Sequence, residues 1–372
     1  MLTPLLLCLA APAPLPLHDP VNDPGHTHPP QVDGWAPAPK SAETVFVGEG
    51  AHRYRWDADW MRLPDGQQWL GSTHGCIVVD SKDRVYLSVD RGPAVLVFSR
   101  GGELVGTLGD DWGPGVHGLA IIQRPGADGS TEERLLAVHT ARQEVLEVGL
   151  DGEVHRRIGL PTASGKYDDP GRYRPTSVAL APDGRFFVAD GYGLSWIHRF
   201  SPEGEYELSF GGPGSEDQHL RTPHGLWMET RGETPTLLVA DRENHRIARF
   251  DLEGRYLGGT DPASGLLRRP CHIQREGDTY VVADLAGRTT LLGPDLELLA
   301  HLGDNPEAEQ RARYQVAPMD WREGAFCAPH CARANSHGEL FVMDWNIAGR
   351  VTRLVPAPEP PPEPEAPSGQ DR

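Results

Sequence analysis

The sequence predicts an all-β chain folded as a six-bladed β-propeller, its ring closed by a strand from near the N-terminus. Three observations predict it. A short motif, an apolar run ending in a small residue and an aspartate, recurs about every fifty residues, close to the period of known propeller blades. Further short apolar runs set off by Gly and Asp turns flank most copies, giving three to four strands per unit. Long apolar patterns of helical period are nearly absent.

The motif reads Val85-Tyr-Leu-Ser-Val-Asp90, Leu135-Leu-Ala-Val-His139, Phe186-Phe-Val-Ala-Asp190, Leu237-Leu-Val-Ala-Asp241, Tyr280-Val-Val-Ala-Asp284 and Leu340-Phe-Val-Met-Asp344. The units open near His74, His117, Thr176, His224, Cys271 and His330, which makes six blades. The last blade offers only three runs, within 327–334, 340–344 and 350–355. Residues 53–60, ahead of blade one, are the natural donor of its fourth strand. Closure of this kind protects sheet edges and ties the first blade to the last. One helix candidate, residues 305–313, lies in a long insertion between blades five and six.

Residues 44–355 are therefore assigned to the propeller. Residues 1–17 are apolar with Ala-Pro-Ala near their end and read as a secretory signal, so a secreted or periplasmic protein is expected. Residues 18–43 form a Pro/His-rich linker, and 356–372 a Pro/Glu-rich tail expected to be disordered. Glycine (43) and proline (35) are abundant, as turn-dense repeats require. The formal charge of −18 argues against nucleic acid as a partner. No stretch is long and apolar enough to span a membrane, and a monomer is expected. Past the signal, four cysteines remain: Cys76, Cys271, Cys327 and Cys331. They offer either a disulfide, with Cys327 and Cys331 nearest in sequence, or soft metal ligands.

Three histidines hold one repeat position: Val116-His117-Gly118-Leu119, Pro223-His224-Gly225-Leu226 and Pro329-His330-Cys331-Ala332. They are about two repeats apart, hence on blades two, four and six. The first strand of each blade lines the central channel, so these positions face one point on the axis, roughly 120° apart in a six-blade ring. Three imidazoles converging there, with one coordination place open, are the pattern of a catalytic zinc. His74 holds the same position in blade one, as a spare ligand, a supporting group or a solvated channel residue.

Blades three and four carry a family resemblance. Arg174-Pro-Thr-Ser-Val-Ala179, Val188-Ala-Asp-Gly-Tyr-Gly193, Trp196-Ile-His-Arg-Phe200, Thr222-Pro-His-Gly-Leu226 and Val239-Ala-Asp-Arg-Glu-Asn-His-Arg-Ile247 resemble the NHL-repeat propellers of the peptidyl-α-hydroxyglycine α-amidating lyase family. The resemblance is dense over about eighty residues and thinner elsewhere. It implies zinc on His117, His224 and His330, an active-site tyrosine at Tyr192, and active-site arginines at Arg242 and Arg91. It also implies a lyase that splits the C–N bond of an α-hydroxyglycine, releasing an amide and glyoxylate, and so a small-molecule or peptide substrate bearing a carboxylate. Zinc would polarise the hydroxyl, Tyr192 would take its proton, and Arg91 and Arg242 would hold the carboxylate. Read without the resemblance, Tyr192 packs at a blade turn and Arg242 pairs with Asp241 or Glu243.

The chain departs from the family at three points. An aspartate that ligates calcium after the blade-six histidine is Cys331 here, which argues against calcium. The cysteine after the tyrosine is Gly193, which removes a disulfide. The companion hydroxylating domain does not occur in this chain, which leaves the substrate open. A different class of function stays in view: a non-enzymatic NHL propeller that binds a protein or glycan.

Overall fold

In the computed structural model, residues 35–64, 67–126 and 129–358 are described. They form six small antiparallel sheets arranged as a six-bladed propeller. Blade one is built from Ile77–Val79, Val85–Ser88, Val95–Phe98 and Leu104–Leu108, and blade two from Val116–Pro125, Thr131–His139, Glu144–Gly149 and Val154–Ile158. Blades three, four and five open on Ser177–Leu180, Pro223–Glu229 and Pro270–Glu276. Blade six takes Pro329–Ala334, Leu340–Asp344 and Arg350–Pro356 from the end of the chain. Tyr54–Asp57 completes it from the other end, in the register Trp56↔Leu354. The predicted closure is therefore present. A fifth strand, Phe46–Val47, lies outside it.

Burial follows each strand's place in its blade. The second strands are covered on both faces by adjacent blades, and Phe186–Ala189 is buried throughout. Such strands read as continuous apolar runs, which is why they carry the repeat signal. The outermost strands have one wet face, so Val154–Ile158 alternates, with His155 and Arg157 exposed.

The aspartate that ends the motif has a structural task. Asp344 is 1% exposed. Its carboxylate accepts from the backbone N–H of Cys327 (3.0 Å) and Ala328 (2.6 Å) and from Arg350 Nε (2.7 Å). Asp241 likewise accepts from Arg221 N–H (2.7 Å) and Arg246 Nε (2.8 Å). Asp190 accepts from Arg174 and Leu194 N–H, both at 2.6 Å. Each carboxylate thus fixes the loop that feeds the inner strand of its own blade, using strong charge-assisted bonds. In blade two His139 stands in for it, its Nε2 bonded to Trp112 O at 3.0 Å.

One expectation changes. The helix candidate at 305–313 forms only the short 3-10 turn Ala308–Gln310. Its loop is held instead by Asn305 and Arg311, whose side chains bond Gln310 Oε1 and Asn305 O. The end of the linker also packs onto the propeller, with Trp35 against the clusters of Tyr314, Trp345 and Trp321. The segment read as a secretory signal and nearly all of the tail lie outside the described residues. Among the described residues no helix is long and apolar enough to cross a membrane.

Candidate functional site

His117, His224 and His330 each occupy a β-bulge at the start of an inner strand. Pairing passes from Val116↔His139 to Gly118↔Val138, from Pro223↔Asp241 to Gly225↔Ala240, and from Pro329↔Asp344 to Cys331↔Met343. The histidine is the extra residue each time. A bulge takes a side chain out of the ladder and re-aims it, here into the channel. The three rings meet with centroids 4.7–4.9 Å apart.

The next blade orients each ring. His117 Nδ1 bonds Thr176 O (2.8 Å), His224 Nδ1 bonds Cys271 O (2.9 Å), and His330 Nδ1 bonds Gly75 O (2.7 Å). A carbonyl only accepts, so Nδ1 carries the proton and Nε2 presents a lone pair to the axis. At His117 and His224 the following glycine permits this approach. A Cβ on Gly118 would sit 2.5 Å from Thr176 O, and one on Gly225 2.6 Å from Cys271 O. Burial holds all three imidazoles below their ordinary pKa, His330 down to about 3, with nearby cationic groups adding to the effect. They are neutral at physiological pH, the form that ligates metal.

Tyr192 closes the ring. Its hydroxyl lies 2.8 Å from His224 Nε2, 3.2 Å from His117 Nε2 and 3.0 Å from His74 Nε2. Arg242 Nη1 reaches the same oxygen at 3.4 Å. Arg242 is 3% exposed and pairs through Nε with Glu243 at 2.9 Å. It therefore makes the ion pair with Glu243 that the sequence offered and also contacts the Tyr192 hydroxyl. Glu243 is half-buried, which alone would raise its pKa. Arg242 and then Arg269 outweigh that and hold it down to about 2. Arg91 makes no hydrogen bond to Tyr192 or the histidines among the described residues. It is exposed in the turn after Val85–Ser88, without a hydrogen bond or ion pair among the described residues.

His74 is the member the sequence left undecided. Its ligand atom groups with those of His117 and His330 within 4.8 Å, as do those of His224, Cys271 and His330. The shared repeat position was the signal, and the fold makes it a contact. His330 Nε2 is buried with no hydrogen-bond partner among the described residues. An orphaned imidazole nitrogen beside two aligned ones fits a borderline metal ion held by nitrogen donors.

Calcium does not fit. The carbonyls of Ile77 and Leu119 that face the channel are already bonded by Arg333, at 3.0 and 3.4 Å. Position 331 offers sulfur where a hard cation needs oxygen. The cysteine pairing also differs from expectation. Cys331 meets Cys76 at 2.6 Å rather than Cys327, and all four cysteines are free and buried.

No family model matches the chain. It is 36% identical over 144 residues to peptidyl-glycine alpha-amidating monooxygenase B of Xenopus laevis, covering 36% of this chain and 15% of that protein. It is 26% identical over 265 residues to peptidyl-alpha-hydroxyglycine alpha-amidating lyase 1 of Drosophila melanogaster, covering 63% of this chain and 44% of that one. The chain thus spans less than half the length of these relatives. A solved luciferin-regenerating enzyme superposes with a TM-score of 0.51 at 10% identity, covering 77% of this chain and 92% of that chain, a likeness of fold alone.

Proposed function

We propose that this chain is an exported zinc-dependent lyase that cleaves the C–N bond of an α-hydroxyglycine-type substrate, giving an amide and glyoxylate. One observation carries the reading: the Tyr192 hydroxyl lies within hydrogen-bond reach of His117, His224 and Arg242 together. The partial likeness to amidating lyases and monooxygenases supports the same reaction class.

Zinc on Nε2 of His117, His224 and His330 would supply a Lewis acid for the substrate's α-hydroxyl oxygen. Tyr192 takes the hydroxyl proton. The freed O–H pair closes the new C=O bond, the C–N bond breaks, and its pair leaves with nitrogen. Tyr192 returns the proton to that nitrogen as the amide departs. Arg242 keeps a buried positive charge against the Tyr192 oxygen, which favours the phenolate that takes the proton, and it would pair with the substrate carboxylate. Arg91, exposed on its turn, is assigned as a second carboxylate contact. A cleft of about 420 Å³ lined by Arg313, Tyr314, Val316 and Trp345 would supply the approach, since the Trp345 ring lies 5.6 Å from that of His74.

A second reading has its own observation. The Tyr192 hydroxyl bridges His74, His117 and His224 without any ion, as a structural plug of a propeller that binds a protein or glycan partner would. Metal analysis separates the two, together with glyoxylate release from benzoyl-α-hydroxyglycine. Zinc near one equivalent, and glyoxylate release that His224→Ala removes, establish the lyase. Protein that stays metal-free after dialysis against zinc, with His224→Ala neutral to stability, leaves the binding propeller.

A further inference from the structure

One layer along the channel from the histidines, the chemistry changes. Cys76 Sγ and Cys331 Sγ are in contact at 2.6 Å although 255 residues separate them. His272 brings a ring nitrogen to within 4.8 Å of both sulfurs. The three side chains come from blades one, six and five, and all are buried. His272 Nδ1 has no hydrogen-bond partner among the described residues. A void of about 10 Å³ touches Cys76, His272 and the three axial histidines, room for about one small particle.

Beyond this layer lies Arg333, 8% exposed. Its guanidinium donates to Ile77 O (3.0 Å), Gln274 Oε1 (3.0 Å) and Leu119 O (3.4 Å), all neutral, and no carboxylate pairs with it among the described residues. Cys331 shares this neighbourhood: Ile77 N–H donates to its sulfur at 3.2 Å. A buried cation without a counter-ion is costly. Two thiolates beside Arg333 would overcompensate it by one negative charge, and a monovalent cation between them would restore neutrality.

We propose that Cys76, Cys331 and His272 form a second metal site that takes copper(I). Two thiolates and an imidazole select a soft ion. Structural zinc almost always takes four ligands, and with both thiolates it would leave the Arg333 charge unmatched, whereas three ligands and one positive charge suit copper(I). Two buried sulfurs in contact can instead be bonded to each other. That pairing, however, gives the orphaned His272 nitrogen no partner and Arg333 no anion. The ion would enter from the opposite mouth, a cavity of about 370 Å³ with Gln274 and Arg333 in its wall. The site does not depend on the lyase reading.

The test is copper(I), supplied under reducing conditions in competition with a chromophoric chelator. One equivalent is expected in wild type and in His224→Ala. Cys76→Ser and Cys331→Ser should lose it, and His272→Gln should bind at least tenfold more weakly, with circular dichroism checking each fold. If the serine variants do not fold, copper absorption-edge spectroscopy of loaded wild type decides, with two sulfur scatterers expected. Any of three results overturns the proposal: a Cys76–Cys331 disulfide in the native protein by thiol counting and intact mass, copper(I) binding unchanged in folded Cys76→Ser, or a copper environment without sulfur.

Discussion

The Tyr192 hydroxyl lies 2.8 Å from Nε2 of His224, and the Nδ1 of that imidazole is bound to Cys271 O at 2.9 Å on the following blade. Three blades thus meet through two hydrogen bonds. The contact brings a group able to carry a proton against a group able to hold a metal, and the carbonyl fixes which ring nitrogen does so.

Tyr192→Phe removes only the hydroxyl. It should lower glyoxylate release by about 10²–10⁴-fold, the range of a lost general base, while zinc content and thermal midpoint stay close to wild type. Steady-state assay and metal analysis on the same preparation check this. Full activity in the phenylalanine variant would remove Tyr192 from the chemistry.

His330→Ala and His74→Ala should separate. His330 Nε2 has no hydrogen-bond partner among the described residues, so its loss should cut zinc affinity by an order of magnitude or more. His74 contacts the Tyr192 hydroxyl at 3.0 Å, so its loss should leave zinc bound and lower turnover. Zinc competition titration and turnover read the two effects.

Gly225→Ala places a Cβ 2.6 Å from Cys271 O and 2.9 Å from His272 Cα. Both are backbone atoms that cannot swing away. A loss of about 1–3 kcal/mol is expected from the overpacking, along with weaker zinc binding, because the same carbonyl orients His224. Urea unfolding and zinc titration measure the pair.

Asp344→Ala should be among the most damaging changes away from the channel. It orphans the N–H groups of Cys327 and Ala328 and strands Arg350, itself 7% exposed. Breaking one partner of such a buried pair costs about 3–5 kcal/mol. Denaturant unfolding reads it, with Asp183→Ala, an exposed turn residue, as the mild comparison.

Glu243 predicts a pH limb. Its folded pKa of about 2 is below the ordinary glutamate value. The ionised form therefore stabilises the fold above that ordinary value, and the stabilisation is lost as pH falls towards about 2. Glu243→Gln should be less stable than wild type at pH 7, by about 2 kcal/mol. The gap should narrow below about pH 4 and close near the folded pKa. Unfolding midpoints across pH 2–7 test both sign and window.

Sequence spacing alone determined the blade count, the strand-swapped closure and the alternate-blade placement of His117, His224 and His330. A repeat writes its period into the chain, and residues at one repeat position share one orientation. The aspartate of the motif was legible as a mark but not as a staple, because its partners are backbone N–H groups that leave no trace in residue type. Only the tertiary structure decided what crosses the channel. It joined His74 to the cluster, brought Cys331 to Cys76 rather than Cys327, and turned Arg333 onto the carbonyls of blades one and two. These are contacts between blades, set by how the ring closes in space, and no local pattern encodes a distance across an axis.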